Sequence, residues 1–389
     1  MKLQLFQIIL DKPQSVYAPG EIVSGRVDIA VEKDYELRLC ELHFKGLANV
    51  HWSEQHSSGS GKNRTTHTVH YRANEEYFNV LQQLLVKGAN DMVTLTAGHH
   101  CFPFSFQLPI SNIPTTFEGA HGWVRYYLEA VLDETWWKFN KRCKVGITVI
   151  APVDCNANPT LLNAMRRDQT KEVCCCCCAT HINASLEIQR QTYCAGESIV
   201  HSGEVNNGSS RDVTPYVELY QRVLFKATRK TRTVDKLVAK IGEPQIGERK
   251  RHNWNQKPLL IPPIAPTLIN CNIIDSSYFV RLHVDIPMAV DCRIDIPVVI
   301  GTIPVQSYSQ FGFGYNPPTQ YGVMTQQPTA PPAADVYPNI PPPSYASCMF
   351  GSVQMKEDGV SDDAFVGNTG FVPMYTYYGQ PPPITAVEA

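Results

Sequence analysis

The sequence has little of what a membrane-spanning or catalytic chain needs. No run of about 18 apolar residues occurs in its 389 positions, so no transmembrane helix is expected. It has no glycine-rich phosphate loop, no nucleophile elbow and no His-Glu-x-x-His, which leaves phosphoryl transfer, serine hydrolysis and zinc hydrolysis without a starting motif. The formal net charge is only -2, so no global basic field points to nucleic acid. The start alternates from Leu3 to Leu10 and then meets Asp11; it reads as a strand, not a signal peptide. No enzyme, metal or cofactor is expected. Helical periodicity is nearly missing too, with weak candidates only at 74–83 and 161–167.

What is present is apolar material arranged for strands. Hydrophobic residues make up 43% and charged ones 18%, enough for real cores, and the length suggests two domains plus an extra segment. Val124, Tyr126, Leu128 and Ala130 share one face, with Arg125, Tyr127 and Glu129 on the other. Turn signals such as Ala18-Pro19-Gly20 and Asn207-Gly208 separate such runs, the pattern of β-sandwiches. Tyr17-Ala-Pro-Gly20-Glu21 recurs as Tyr193-Cys-Ala-Gly196-Glu197, each copy with a glycine for a turn of positive φ. Two related sandwiches are expected over 1–152 and 180–305, joined by a polar linker over 153–179. The Ser, Thr, Gly and His of 51–71 suggest a long loop.

The 29 prolines are unevenly placed. Residues 306–389 hold 13 of them, with eight tyrosines, six acids and a single basic residue, Lys356. Such a segment cannot offset its ordering entropy by burial and is expected to be disordered.

Several stretches of the body resemble the α-arrestin (arrestin domain-containing protein) family. They are Tyr17-Ala-Pro-Gly-Glu-Ile-Val-Ser-Gly25, Phe102-Pro-Phe-Ser-Phe-Gln-Leu-Pro109, and Pro114-Thr-Thr-Phe-Glu-Gly119 leading into Val124-Arg-Tyr-Tyr-Leu. In the second half they are Tyr193 to Glu197, Leu260-Ile-Pro-Pro-Ile-Ala-Pro266 and Ile296-Pro-Val-Val-Ile-Gly-Thr-Ile-Pro304. The resemblance covers about residues 1–305. It implies an all-β chain of two tandem arrestin-type, immunoglobulin-like sandwiches. It also implies an adaptor that links membrane-protein cargo, a receptor or transporter, to the ubiquitin and endosomal machinery. The alternative is a retromer-like trafficking scaffold that recruits no ligase.

The tail carries the sharpest motif. Pro341-Pro342-Pro343-Ser344-Tyr345 contains a full Pro-Pro-x-Tyr. Consecutive prolines hold polyproline II, so little entropy remains to lose, and such segments dock in the aromatic grooves of WW domains. Pro342, Pro343 and Tyr345 are therefore the expected site for a WW-domain HECT ubiquitin ligase. Val372-Pro373-Met374-Tyr375 keeps the second proline and the tyrosine, and Pro373 and Tyr375 form a degenerate second site. The two tyrosines could engage tandem WW domains with added avidity. Pro328-Thr329-Ala330-Pro331 resembles a late-domain motif read by the endosomal sorting machinery.

Thirteen cysteines occur without a secretory context, so a disulfide framework is not expected. Cys40, Cys101, Cys143, Cys194, Cys271 and Cys292 read as core thiols. Adjacent residues on a strand point to opposite faces, which argues against a metal site in the Cys174 to Cys178 run; a buried or interdomain strand is the main reading and S-acylation the rival. Residues 222–251 hold ten Lys or Arg against three acids, a local +7. Arg222, Lys226, Arg229, Lys230, Arg232, Arg249, Lys250 and Arg251 are expected to line either a solvated hairpin or a contact for anionic lipid or acidic cargo. The location expected is cytoplasmic, peripheral at plasma membrane and endosomes.

Overall fold

The computed structural model describes residues 3–58, 64–85, 92–134, 140–175, 178–306, 344–348, 353–355, 365–367 and 369–379. The first unit is built from β1 (Leu3–Leu10), β2 (Val16–Tyr17), β3 (Ile22–Val31), β4 (Tyr35–Leu37), β5 (Leu39–Ser58), β6 (Thr65–Gln83), β7 (Val93–Leu95), β8 (Gly98–Gln107), β9 (Phe117–Gly119), β10 (Gly122–Asp133) and β11 (Lys141–Val149). The second is built from β12 (Met165–Cys175), β13 (Cys178–Ile188), β14 (Thr192–Cys194), β15 (Ser198–Asn207), β16 (Thr214–Ala227), β17 (Lys230–Gly242), β18 (Arg251–Leu260), β19 (Ile274–Asp285) and β20 (Cys292–Gly301). Four short strands lie in the tail: β21 (Ser344–Ser347), β22 (Val353–Gln354), β23 (Gly370–Phe371) and β24 (Met374–Tyr377).

Each unit is a sandwich. Sheet β1-β3-β8 faces sheet β2-β11-β10-β5-β6, and sheet β12-β13-β15-β18 faces sheet β14-β20-β19-β16-β17. Alternation along each strand sends one set of side chains into a separate core: Val27, Phe44, Val124 and Leu128 in the first, Leu186, Leu219, Leu282 and Ile296 in the second. The all-β, two-sandwich expectation is met.

The internal repeat is one local structure used twice. Gly20 and Gly196 both sit at positive φ, +86° and +93°, where a Cβ would be strained. Glu21 N–H donates to Ala18 O, and Glu197 N–H to Cys194 O, each at 3.1 Å. The strand before each turn then runs parallel to the last strand of its own sandwich, β2 on β11 and β14 on β20. A buried tyrosine makes a matching bond in each sandwich: Tyr126 OH donates to Pro114 O at 2.7 Å and Tyr278 OH to Ala265 O at 2.6 Å.

Four expectations about local structure change. Residues 51–71 are not a loop between strands; β5 and β6 form one long ladder running out to Ser58 opposite Thr65. The cross-strand pairs Trp52–Tyr71, His51–His70 and His56–His67 stack at 5.4, 5.4 and 5.8 Å between ring centroids. Residues 74–83 belong to the same β6, because pairing with β5 overrides a weak local helical preference. Of 161–167, only a 3-10 turn over Pro159–Leu162 is helical, and β12 begins at Met165. The linker is accordingly shorter than 153–179: β12 pairs along its length with β13 and belongs to the second sandwich. Of the Cys174 to Cys178 run, Cys174, Cys175 and Cys178 lie on these two paired strands, with Cys175 opposite Cys178; Cys176 and Cys177 lie outside the described residues.

The cysteine expectation holds for four of six. Cys40, Cys143, Cys194 and Cys292 are buried, Cys271 is half-buried and Cys101 is exposed. On β8 the inward positions fall to Phe104 and Phe106, which leaves Cys101 on the outer face.

His201, on β15, is 1% exposed and accepts at Nδ1 from Trp254 Nε1 at 3.0 Å. Burial is the main cause that brings its imidazole from 6.5 down to about 4. A depressed histidine contributes stability that is complete above the unfolded value and lost as pH falls toward the folded one. Between pH 7 and 5 the wild type should lose about 2 kcal/mol through this residue. Urea midpoints at the two pH values should therefore separate more in wild type than in His201→Gln; equal separation would remove the assignment.

Candidate functional site

The tail does not stay clear of the body. Met355 and Phe371, on the paired strands β22 and β23 and their flank, pack on Tyr127. A Cβ at Gly146 would lie 2.5 Å from Met355 Sδ and 2.6 Å from the Phe371 ring, so β11 can carry no side chain there. Three residues on, β24 enters the seam between the sandwiches. Met374 N–H donates to Thr148 Oγ1 at 3.2 Å. Tyr375 is 1% exposed, belongs to the first core, and donates its OH to Thr116 O at 2.9 Å. Tyr377 belongs to the second core. Tyr378 N–H donates to Ala195 O at 2.9 Å and its OH to Thr302 O at 2.7 Å. Gly379 then lies against Gly196, whose missing Cβ would fall 2.1 Å from the Gly379 nitrogen.

One segment of about ten residues thus ties both sandwiches together. Full burial of a large apolar side chain is worth about 1.5–3 kcal/mol, and Phe371, Tyr375 and Tyr377 each contribute such a burial.

This seat decides what the docking motifs can do. β21 pairs antiparallel with β24, with Tyr345 opposite Thr376 and Ala346 opposite Tyr375. Cys348 N–H extends the ladder by donating to Pro373 O at 2.9 Å. Tyr345 is half-buried, and its phenol is raised above its usual value by burial and then by Glu21. The expected primary motif therefore enters the structure at its tyrosine, while Pro342 and Pro343 lie outside the described residues. Pro328, Thr329, Ala330 and Pro331 also lie outside them. The expected second site is corrected: Pro373 and Tyr375 are buried, and no WW groove reaches them while β24 is seated. Nor can the two tyrosines serve tandem domains together in this state, because they sit on neighbouring strands about 4.8 Å apart.

The basic cluster is not one surface. Lys226, Arg229, Lys230 and Arg232 surround the β16–β17 turn, whereas Arg249, Lys250 and Arg251 lie beside the start of β15's partner β18, next to Asn207 and Ser209. The 14-residue β16 separates the two groups, roughly 40 Å at about 3.3 Å per residue. Several members are already engaged. Arg222 makes a two-pronged pair with Asp235 at 2.7 and 2.6 Å, Arg251 pairs with Glu204 at 2.6 Å, and Lys230 reaches across the domain boundary to Glu54. The solvated-hairpin reading fits this arrangement; exposed pairs of this kind are worth about 0–1 kcal/mol each.

Sequence reading missed a buried charge cluster under the tail. Glu129, on β10, has a side chain 1% exposed, with Arg142 at 3.1 Å, Lys45 at 3.3 Å and Lys144 at 3.5 Å. Burial alone would push its carboxyl up, but Lys144, Lys45 and Arg142 outweigh burial and hold it below the usual range. Phe365 of the tail bridges to Arg142 and lies over Lys144. The signal was present as a single glutamate inside the apolar run Tyr126 to Leu132. Among the described residues, no group of three His, Cys, Asp or Glu could hold a metal ion.

Comparison with known proteins agrees with this architecture. The family described as Arrestin (or S-antigen), N-terminal domain, matches residues 6–156, and its C-terminal domain counterpart matches 180–305. Mouse "Arrestin domain-containing protein 4" is 34% identical over 308 residues, covering 78% of this chain and 72% of the relative. "Arrestin domain-containing protein 17" of Caenorhabditis elegans is 25% identical over 439 aligned positions, 97% of this chain and 99% of the relative. Mouse "Thioredoxin-interacting protein" is 26% identical over 302 residues, 77% of this chain and 74% of the relative. Arrestin-domain proteins are non-enzymatic adaptors and scaffolds. Two tandem arrestin sandwiches, together with these relatives, place the chain in the α-arrestin family of arrestin domain-containing proteins.

Proposed function

We propose that this α-arrestin recruits a WW-domain HECT-type ubiquitin ligase through Pro342, Pro343 and Tyr345 and presents it to a membrane-protein cargo. The consequence would be ubiquitination, endocytosis and endosomal sorting of that cargo. The work would be done in the cytoplasm, peripherally at plasma membrane and endosomes. The observation that carries the reading is the Pro-Pro-Pro-Ser-Tyr345 sequence in the segment that follows two complete sandwiches. In this reading the body acts as the non-enzymatic scaffold its family supplies. Its part is effective concentration: a tail-bound ligase is held near cargo lysines. Pro328 to Pro331 would add a contact to the sorting machinery. The basic residues at the β16–β17 turn, Lys226, Arg229 and Arg232, remain candidates for an acidic membrane or cargo surface.

Tyr345→Ala tests the central step. Isolated WW domains should capture the wild-type chain and lose about tenfold or more of their affinity for the variant, since the tyrosine ring fills one of the two pockets of the groove. Equal capture would remove ligase recruitment through this motif while leaving the family membership untouched.

A further inference from the structure

Where the interdomain connection meets the second sandwich lies a pair of thiols that adaptor function does not use. Cys155 lies in an irregular turn just after the Asp154–Ile303 bridge, and its N–H donates to Ile303 O at 3.1 Å. Cys194 ends β14, pairs with Gly301, and donates its N–H to Glu197 Oε2 at 2.7 Å. The two Sγ atoms are 3.8 Å apart. Both residues are buried, 2% and 0% exposed. Gly301 leaves the room for them: a Cβ there would lie 2.5 Å from Cys155 Sγ.

Bonded sulfurs are about 2.05 Å apart, so closure needs a shift of roughly 2 Å. With the Cys155 backbone bonded to Ile303 and Cys194 held by its sheet, rotation of the two side chains about their Cα–Cβ bonds would supply it. The two thiols also differ in acidity. Contact with Cys194, helped by Thr192 and Arg190, brings Cys155 below its ordinary value against the effect of burial. Burial and the neighbouring sulfur push Cys194 well above it. The contact between the sulfurs favours loss of one proton from the pair, and the resulting thiolate is the attacking group.

We propose that Cys155 and Cys194 form a redox-active dithiol, which a hydroperoxide closes to a disulfide that staples the interdomain connection to the second sandwich. The Cys155 thiolate attacks a peroxide oxygen and the O–O bond breaks. The departing oxygen takes up a proton and leaves as water or an alcohol, and Cys155 becomes a sulfenic acid. Cys194 sulfur then attacks Cys155 sulfur, the S–OH bond breaks, and hydroxide leaves as water with the Cys194 proton. Two electrons pass from the sulfur pair to the peroxide, and a low-molecular-weight thiol returns them.

The tail governs access. Tyr378 packs on the Cys155, Cys194 and Val305 cluster and is pinned there by its bond to Thr302 O. Oxidation is therefore slow with the tail seated and faster when it leaves.

The full chain treated with hydrogen peroxide, quenched by alkylation and mapped without reduction, tests this. A Cys155–Cys194 cross-linked peptide should form and disappear on treatment with dithiothreitol. In Cys194→Ser, a dimedone adduct should appear on Cys155 instead. Absence of the cross-link in wild type after exposed Cys101 is fully oxidised overturns the proposal. Tyr378→Ala should form the cross-link about tenfold faster through local opening; an unchanged rate overturns the role of the tail as cover. Should that variant fail to fold, hydrogen–deuterium exchange across 374–379 in wild type, compared before and after cross-linking, decides the same point.

Discussion

Tyr375→Ala should strengthen capture by WW domains rather than weaken it. Read from sequence, Pro373 and Tyr375 are a second ligand, and their loss should cost avidity. In the structure Tyr375 is the plug that holds β24 in the interdomain seam. Truncating a buried aromatic costs about 3–5 kcal/mol, and here the loss falls on a four-residue strand. Without β24, β21 has no partner, since Tyr345 pairs only across that ladder among the described residues. Apparent affinity scales with the fraction of chains in the competent state. A seat stable by about 1.4 kcal/mol would mask the motif about tenfold. Calorimetric titration with a WW domain should accordingly show a gain of about tenfold or more. Chymotrypsin should also cut the variant tail at Tyr377 and Tyr378, which are shielded in wild type. Unchanged or reduced affinity, with the tail demonstrably released, would mean that the seat does not gate the motif.

Glu129→Gln should strongly destabilise the first sandwich. The carboxylate is the shared counter-charge of Lys45, Arg142 and Lys144, and the Lys144 side chain is 2% exposed. Removing one partner of a buried ion pair leaves an uncompensated buried charge and costs about 3–5 kcal/mol. For a domain of this size that corresponds to roughly 10 °C in Tm. Glu129→Gln combined with Lys144→Met should be milder than the single change, because the most buried of the three cations is then gone. The pH dependence has a definite sign. A carboxyl held below its unfolded value contributes stability above that value and loses it as pH falls through the folded one. The wild type should lose stability on acidification below about pH 4.5, and Glu129→Gln should lose less. Calorimetric melts at pH 7 and pH 4 measure both; a variant melting within 2 °C of wild type at pH 7, against the roughly 10 °C expected, would show that the cluster carries no such load.

The parts of the fold legible in the sequence are those set by local rules. Strand alternation is a property of neighbours two apart, and it placed Val124 to Ala130 inside. The Gly20 and Gly196 turns need positive φ, and that demand is written at a single position in each copy. The Pro-Pro-x-Tyr motif is likewise a local pattern of residues. Polar strands were not legible: the outer half of the β5–β6 hairpin is held by backbone hydrogen bonds, which any side chain permits, so the Ser, Thr and His of 51–71 resembled a loop. The +7 of 222–251 was a correct count whose members the topology sends to opposite ends of β16.

The sequence by itself determined two sandwiches, their repeated turn, and a proline-rich tail with a Pro-Pro-x-Tyr motif. The tertiary structure alone decided that this tail has a seat. That seat is assembled from Thr116, Thr148, Ala195 and Thr302, positions far apart in the chain, and filled by Tyr375, Tyr377 and Tyr378. The burial of a tail tyrosine depends on a groove that exists only after both sandwiches have formed. Composition could report that the tail lacks a core of its own; it had no means to report that the body would lend it two.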